Sequence, residues 1–210
     1  MFFPQNKSIF VHIPKTGGSS LEFAIASKFL INKEESRIEF EAYKNFSIRG
    51  AKMNIPFGTD PNGHIHSYIS EYSLFLPLKE YFSFTVLRNP FDQVRSLYNQ
   101  MRKVMNIPSL EHFILADDQK SINVLDHYID QYKYTHINDV LRVNKVFVFD
   151  RYYEAQNFVE DFFKVKIDRQ KKLWQTTYTQ EEFSKEMKEK FASIYHQSIE
   201  LYNRFLKDKN

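Results

Sequence analysis

Ile9-Phe10-Val11-His12-Ile13-Pro14-Lys15-Thr16-Gly17-Gly18-Ser19-Ser20-Leu21-Glu22 reads as a buried strand, a tight loop and the start of a helix. Residues 9–13 are an apolar run rich in β-branched side chains, closed by Pro14. Gly17 and Gly18 permit positive φ and the close approach of a ligand. Ser19 and Glu22 have the spacing of a capping box. A helix is therefore expected over 20–29, with Leu21, Ala24, Ile25 and Phe29 on one face. Such a turn gathers free backbone N–H groups and a positive helix end into one small space. Lys15, Thr16, Ser19 and Ser20 surround it, and a phosphate cradle is the expectation.

The order differs from that of a nucleoside-triphosphate loop. G-x-x-x-x-G-K-[ST] places the lysine after the last glycine. Here Lys15 precedes both glycines, and that pattern occurs nowhere in the chain. A second strand–turn–helix unit follows. The apolar run 81–87 ends in Arg88-Asn89-Pro90-Phe91-Asp92, with Asn89 suited to an N-cap and Pro90 to the first helical position. Phe91, Val94, Leu97, Tyr98 and Met101 then recur with helical period, and Ser96 lies off that face.

Elsewhere, 37–41 alternates like an edge strand and 54–62 is a Pro- and Gly-rich loop. Residues 109–141 read as mostly helical, with Ser109 as a cap and breaks near Asp117 and Asp118. A third core strand is expected over 146–149 and a helix over 152–163. The stretch 168–178 is basic and aperiodic. Thr179 and Glu182 have capping-box spacing before a last helix that turns Phe183, Met187, Phe191, Ile194, Tyr195, Tyr202 and Phe205 inward. Strands alternating with helices predict an α/β fold of three layers, a central parallel sheet flanked by helices. Ligands then bind at the carboxyl ends of the strands, where both loop motifs fall.

The 210 residues suit one domain, 1–210, able to bury about 70% of its unfolded surface. An aromatic content of 17% argues for a packed core and against disorder. The formal charge of +3 is far from the balance of a dedicated nucleic-acid binder but suits one locally bound anion. Absence of cysteine excludes disulfides and thiolate metal sites. The histidines lack zinc-site spacing, so no metal is expected. No run of about 18 apolar residues exists, so no membrane span is expected.

Pro14-Lys15-Thr16-Gly17-Gly18-Ser19-Ser20, Gly63-His64-Ile65 and the run from Leu87 to Tyr98 together resemble sulfotransferases that use 3′-phosphoadenosine 5′-phosphosulfate (PAPS). The likeness is to the carbohydrate sulfotransferases of the heparan sulfate 2-O type. It implies a P-loop-NTPase-like sulfotransferase fold and in-line transfer of a sulfuryl group to an acceptor hydroxyl, leaving 3′-phosphoadenosine 5′-phosphate (PAP). Lys15 would neutralise charge growing on the leaving phosphate. Thr16, Gly17, Gly18, Ser19 and Ser20 would hold the 5′-phosphate. Arg88, a fork of donors, and Ser96 eight residues later would hold the 3′-phosphate. The resemblance makes His64 the general base, and a histidine can be neutral at working pH. From the residues alone His64 and His66 are not separable. His12, inside the first strand, reads as structural. In the family a basic residue often stands at the place of Gln93 and an apolar one at that of Arg95, and Arg95 has no role in this reading. Trp174 either stacks on adenine or packs on the last helix.

A saccharide acceptor follows from the resemblance alone. The chain reads as a bacterial-type soluble enzyme of the cytoplasm, with an excised Golgi-lumenal domain as the alternative. A small nucleoside or sugar kinase is the competing enzyme, and it lacks its lysine after the glycines. A non-catalytic nucleotide- or glycan-binding module of the same fold is the competing non-enzyme.

Overall fold

The structure, a computed structural model, describes residues 1–3, 6–29, 66–74, 76–116, 124–126, 128–169 and 181–208. Its main sheet holds β1 (Phe2–Phe3), β2 (Ser8–Val11), β3 (Phe82–Leu87) and β6 (Lys145–Val148), in the order β1-β2-β3-β6. β2, β3 and β6 run parallel and β1 is antiparallel to β2. A separate hairpin pairs β4 (His136–Ile137) with β5 (Val140–Leu141). The helices are α1 (Gly18–Phe29), α2 (Ile69–Ser73), α3 (Pro90–Met105), α4 (Leu110–Leu115), α5 (Gln131–Thr135), α6 (Tyr152–Phe163) and α7 (Lys185–Lys207).

Side chains alternate across each strand, and both faces are buried, as a parallel sheet requires. One face carries Phe10, Phe84, Val86 and Phe147, packed against Leu21 and Ile25 of α1 and Ala155, Val159 and Phe163 of α6. The other carries Ile9, Val11, Leu87, Val146 and Val148 against α2, α5 and the second half of α7. These are the three expected layers. A further apolar cluster joins α3, α4 and the first half of α7. The phenylalanine rings are in mutual contact, with Phe10 on Phe84 at 4.9 Å and Phe158 on Phe84 and Phe147 at 5.2 and 5.3 Å. Buried strand hydroxyls are paired. Thr85 donates to the Val11 carbonyl, and Ser83 and Asn144 bond one another where β3 and β6 begin.

The expected strand over 81–87 and helix over 152–163 stand, and Asn89 caps α3 with Pro90 at its first position. Several details differ. α1 opens at Gly18, so Ser19 lies within its first turn, and Glu22 turns to His12 instead of forming a capping box. The third strand ends one residue early, because Phe149 begins a 3-10 turn, Phe149–Arg151. The stretch expected to be helical up to 141 ends in the β4–β5 hairpin. Asn138 and Asp139 both adopt positive φ there, the backbone of a tight two-residue turn. α7 begins at Lys185, with Ser184 accepting from Met187 N–H. Ser109 caps α4 as expected, accepting from His112 N–H, and Glu181 accepts from Leu110 N–H and Tyr98 Oη beside it. Ile194, expected to turn inward, is 52% exposed, and the helix kinks at the next residue, Tyr195. The readings at 37–41, 54–62, Gly63, His64, Ile65, Asp117, Asp118, Trp174 and Thr179 lie outside the described residues. Among the described residues no helix is long and apolar enough to cross a membrane.

Phe84 packs against Phe10 on the neighbouring strand and Phe158 and Phe163 on α6, and it is fully buried. Phe84→Ala should cost about 3–5 kcal/mol. Urea unfolding would show this as a lowered midpoint with an unchanged slope.

Candidate functional site

The turn between β2 and α1 sits at the carboxyl end of the sheet, beside the segments that leave β3 and β6. Four of its carbonyl oxygens are held by side chains. Thr16 Oγ1 donates to Ile13 O (2.8 Å), Gln93 Nε2 to Pro14 O (2.9 Å), Arg88 Nη1 to Lys15 O (3.0 Å) and Tyr152 Oη to Gly17 O (2.7 Å). In a trans peptide the C=O and the following N–H point to opposite sides. Holding the carbonyls of Lys15 and Gly17 therefore turns the N–H groups of Thr16 and Gly18 the other way. The backbone N–H groups of Thr16, Gly17, Gly18 and Ser19 meet no acceptor among the described residues. Donors aimed together at a helix N-terminus, with Lys15 half-buried at their edge, make an anion cradle.

The backbone bends by positive φ at Lys15 (64°) and Gly17 (89°), and not at Gly18 as the sequence suggested. Both glycines admit protein groups. A Cβ on Gly17 would lie 2.8 Å from Phe149 and 3.1 Å from Tyr152. One on Gly18 would overlap the ring of His12. Thr16 is buried and its hydroxyl proton is taken by Ile13 O, which leaves its N–H as the donor it can offer. Ser19 and Ser20 are half-buried on the first turn of α1. Burial pushes the Tyr152 phenol well above its usual range, with the Ser20 hydroxyl beside it pulling the other way, so Tyr152 is a neutral donor at working pH.

Arg88 leaves β3 and is fixed from two directions. Gln131, fully buried at the start of α5, accepts from Arg88 N–H (3.0 Å) and donates to Arg88 O (2.7 Å). The guanidinium lies over the Phe149 ring, 4.7 Å from its centroid. With Nη1 on Lys15 O, the rest of the fork has no acceptor among the described residues. Ser96 is 2% exposed on α3, three residues beyond Gln93, and so on the side of the helix that reaches the loop. Its hydroxyl has no partner among the described residues. Lys15 and Arg88 are thus joined through the backbone of the loop. His64 lies outside the described residues, while His66 donates from Nδ1 to His12 O (3.1 Å).

Gln93, Gln131, Tyr152 and the buried pair His12–Glu22 were not read from the sequence as parts of this site. Gln93 is fully buried and also donates to Tyr128 O (2.9 Å), which accounts for its place in the helix. Arg95 lies 5.0 Å over the Phe183 ring and pairs with Asp92. Among the described residues no group of three His, Asp or Glu side chains could hold a metal ion.

These features define an α/β protein with a turn at the carboxyl end of a parallel sheet that presents backbone N–H groups lacking acceptors among the described residues. No family model matches the chain, and no curated protein matches it. Among solved structures the chain is similar to a sulfotransferase from Alicyclobacillus acidocaldarius. The two share 15% sequence identity over 96% of this chain and 97% of that one, with a TM-score of 0.39.

Gly18→Ala should be strongly destabilising, because the methyl group and the His12 ring claim the same space. In a His12→Ala background the same change should cost far less. A double-mutant cycle by urea unfolding should return a coupling of about 1–3 kcal/mol.

Proposed function

We propose that the chain is a PAPS-dependent sulfotransferase that moves a sulfuryl group to an acceptor hydroxyl, on a saccharide in the reading its motifs support. The observation that carries this is the bond from the Arg88 guanidinium to the backbone carbonyl of Lys15, which ties the end of β3 to the turn. Lys15 belongs to the turn whose N–H groups have no acceptor among the described residues, and Arg88 is one bond from its backbone. A donor with phosphate groups at both its 5′ and 3′ positions asks for two anion sites on one rigid frame. A nucleoside triphosphate would call for a lysine after the glycines, where Ser19 stands.

In this reading the N–H groups of Thr16, Gly17, Gly18 and Ser19, with the Ser19 and Ser20 hydroxyls, hold the 5′-phosphate. The unused arm of Arg88 and the Ser96 hydroxyl hold the 3′-phosphate. The bond from sulfur to the 5′-phosphate oxygen breaks as the acceptor oxygen bonds to sulfur, and His64 takes the acceptor proton. Lys15 meets the charge that grows on the departing phosphate. The residues present fit such a donor, since N–H groups without protein acceptors line the turn and the carbonyls of Ile13, Pro14, Lys15 and Gly17 are engaged by side chains.

PAP at about 100 times its dissociation constant should stabilise the protein by about 2.7 kcal/mol in thermal or urea unfolding. Lys15→Ala and His64→Ala should abolish sulfate transfer from PAPS while both variants still unfold cooperatively. Arg88→Ala should weaken PAP more than it weakens adenosine 5′-phosphate. Stabilisation by ATP with magnesium but not by PAP would refute the proposal.

A further inference from the structure

One aromatic ring touches both the turn and Arg88. Phe149 opens the 3-10 turn that follows β6 and is half-buried. An edge of its ring presses on the turn, where a Cβ on Gly17 would lie 2.8 Å from Cε2 and 3.2 Å from Cδ2. The Arg88 guanidinium lies over the same ring, with Cζ 4.7 Å from the centroid. The ring of Tyr152, three residues on, has its centroid 5.2 Å away, and its hydroxyl donates to Gly17 O.

The two contacts of the ring differ in what else supports them. Gly17 keeps the Tyr152 hydroxyl on its carbonyl whether or not Phe149 is present. For Arg88, Gln131 brackets the backbone, and Nη1 is bonded to Lys15 O. These bonds fix where the side chain begins and one tip of its fork. A planar fork pinned at one tip can still turn about that bond, and its remaining donors act only in its own plane. The face of Phe149 limits this rotation, because the ring quadrupole attracts the guanidinium. Among the described residues no other side chain is bonded to the guanidinium or carries it on a ring.

We infer that Phe149 is a positioning residue that orients the Arg88 fork, and through it makes the site select ligands with a phosphate at the 3′ as well as the 5′ position. This rests on the reading of Arg88 as the holder of the 3′-phosphate. An arginine already aimed loses less rotational freedom when the anion arrives, so the anion binds more tightly. A ligand with a 5′-phosphate alone gains nothing from this. The ring therefore acts on the preference between the two ligands and not on the part they share. Tyr152, beside it, acts on the shared part.

Calorimetric titration with PAP and with adenosine 5′-phosphate gives, for each variant, a ratio of two association constants. Changes in the shared 5′-phosphate site or in the fraction folded cancel in that ratio. Phe149→Leu keeps an apolar side chain and removes the ring face. It should lower the ratio by about two- to tenfold, the range for loosening one long side chain. If Phe149→Leu fails to fold, Phe149→Met takes its place. Phe149→Tyr keeps the face and should keep the wild-type ratio. Tyr152→Phe removes the donor to Gly17 O, so it should weaken both ligands by one factor and leave the ratio unchanged. In an Arg88→Ala background, Phe149→Leu should not move the ratio further, because the arginine through which it acts is gone. A wild-type ratio in Phe149→Leu, or a further fall of the ratio when it is added to Arg88→Ala, overturns the role of Phe149 and leaves the sulfotransferase reading standing. Absence of PAP binding by the wild type overturns that reading itself, and this inference with it.

Discussion

The carbonyl oxygens of Ile13, Pro14, Lys15 and Gly17 all accept from side chains, and the rest of the site depends on this arrangement. A buried carbonyl left without a donor costs about 1–3 kcal/mol. A five-residue turn with none of these donors would relax until its carbonyls found water or its own N–H groups. Three of the donors come from other parts of the chain: Gln93 from α3, Arg88 from the end of β3 and Tyr152 from α6. The turn thus holds its shape because the carboxyl ends of three parallel strands converge on it. The N–H groups are left over as a consequence of the geometry of the peptide bond.

The phenylalanine-rich face of the sheet serves the same end. Phe158 on α6 packs on Phe84 and Phe147, which sets how that helix lies along the sheet. The first turn of the helix then presents Tyr152 to Gly17 O, and the preceding 3-10 turn presents Phe149 to both Gly17 and the guanidinium of Arg88. Core packing on one face is in this way translated into the position of a cation at the sheet end. On the opposite face, Gln131 opens α5 and brackets the backbone of Arg88. The arginine is therefore fixed by both helical layers at once.

What could be read in the residues was what has a local period or a local cap. The strand of β3, the Asn89-Pro90 start of α3 and the length of α6 all follow from patterns spanning a few residues. Placement of Lys15 and Arg88 at one end of one sheet followed from the strand–turn–helix order. The β4–β5 hairpin escaped because its strands are two residues each, too short for a period to show. Asn138-Asp139, both tolerant of left-handed backbone, was the available signal. The donors that shape the turn had no local signal at all. Gln93 is 79 residues from Pro14, and Tyr152 is 135 from Gly17. Such partners are chosen by how the layers stack, and a carboxamide or a phenol in a helix looks the same in sequence whether or not it meets a carbonyl.

The two glycines show how the same residues can be read correctly in kind and differently in cause. A Gly-Gly pair in a phosphate turn suggests bare backbone opened to a ligand. Here Gly17 is required by its φ of 89° and by the rings of Phe149 and Tyr152, and Gly18 by the ring of His12. Both lack side chains because protein groups press against them from behind. The left-handed residue on the ligand side is Lys15, a side chain that pays the strain of positive φ, of order 1 kcal/mol. That strain is sustained because its carbonyl is bonded to Arg88. In the proposed reading, where Arg88 holds the 3′-phosphate, whatever draws Arg88 toward that anion also pulls on the peptide that aims the N–H of Thr16.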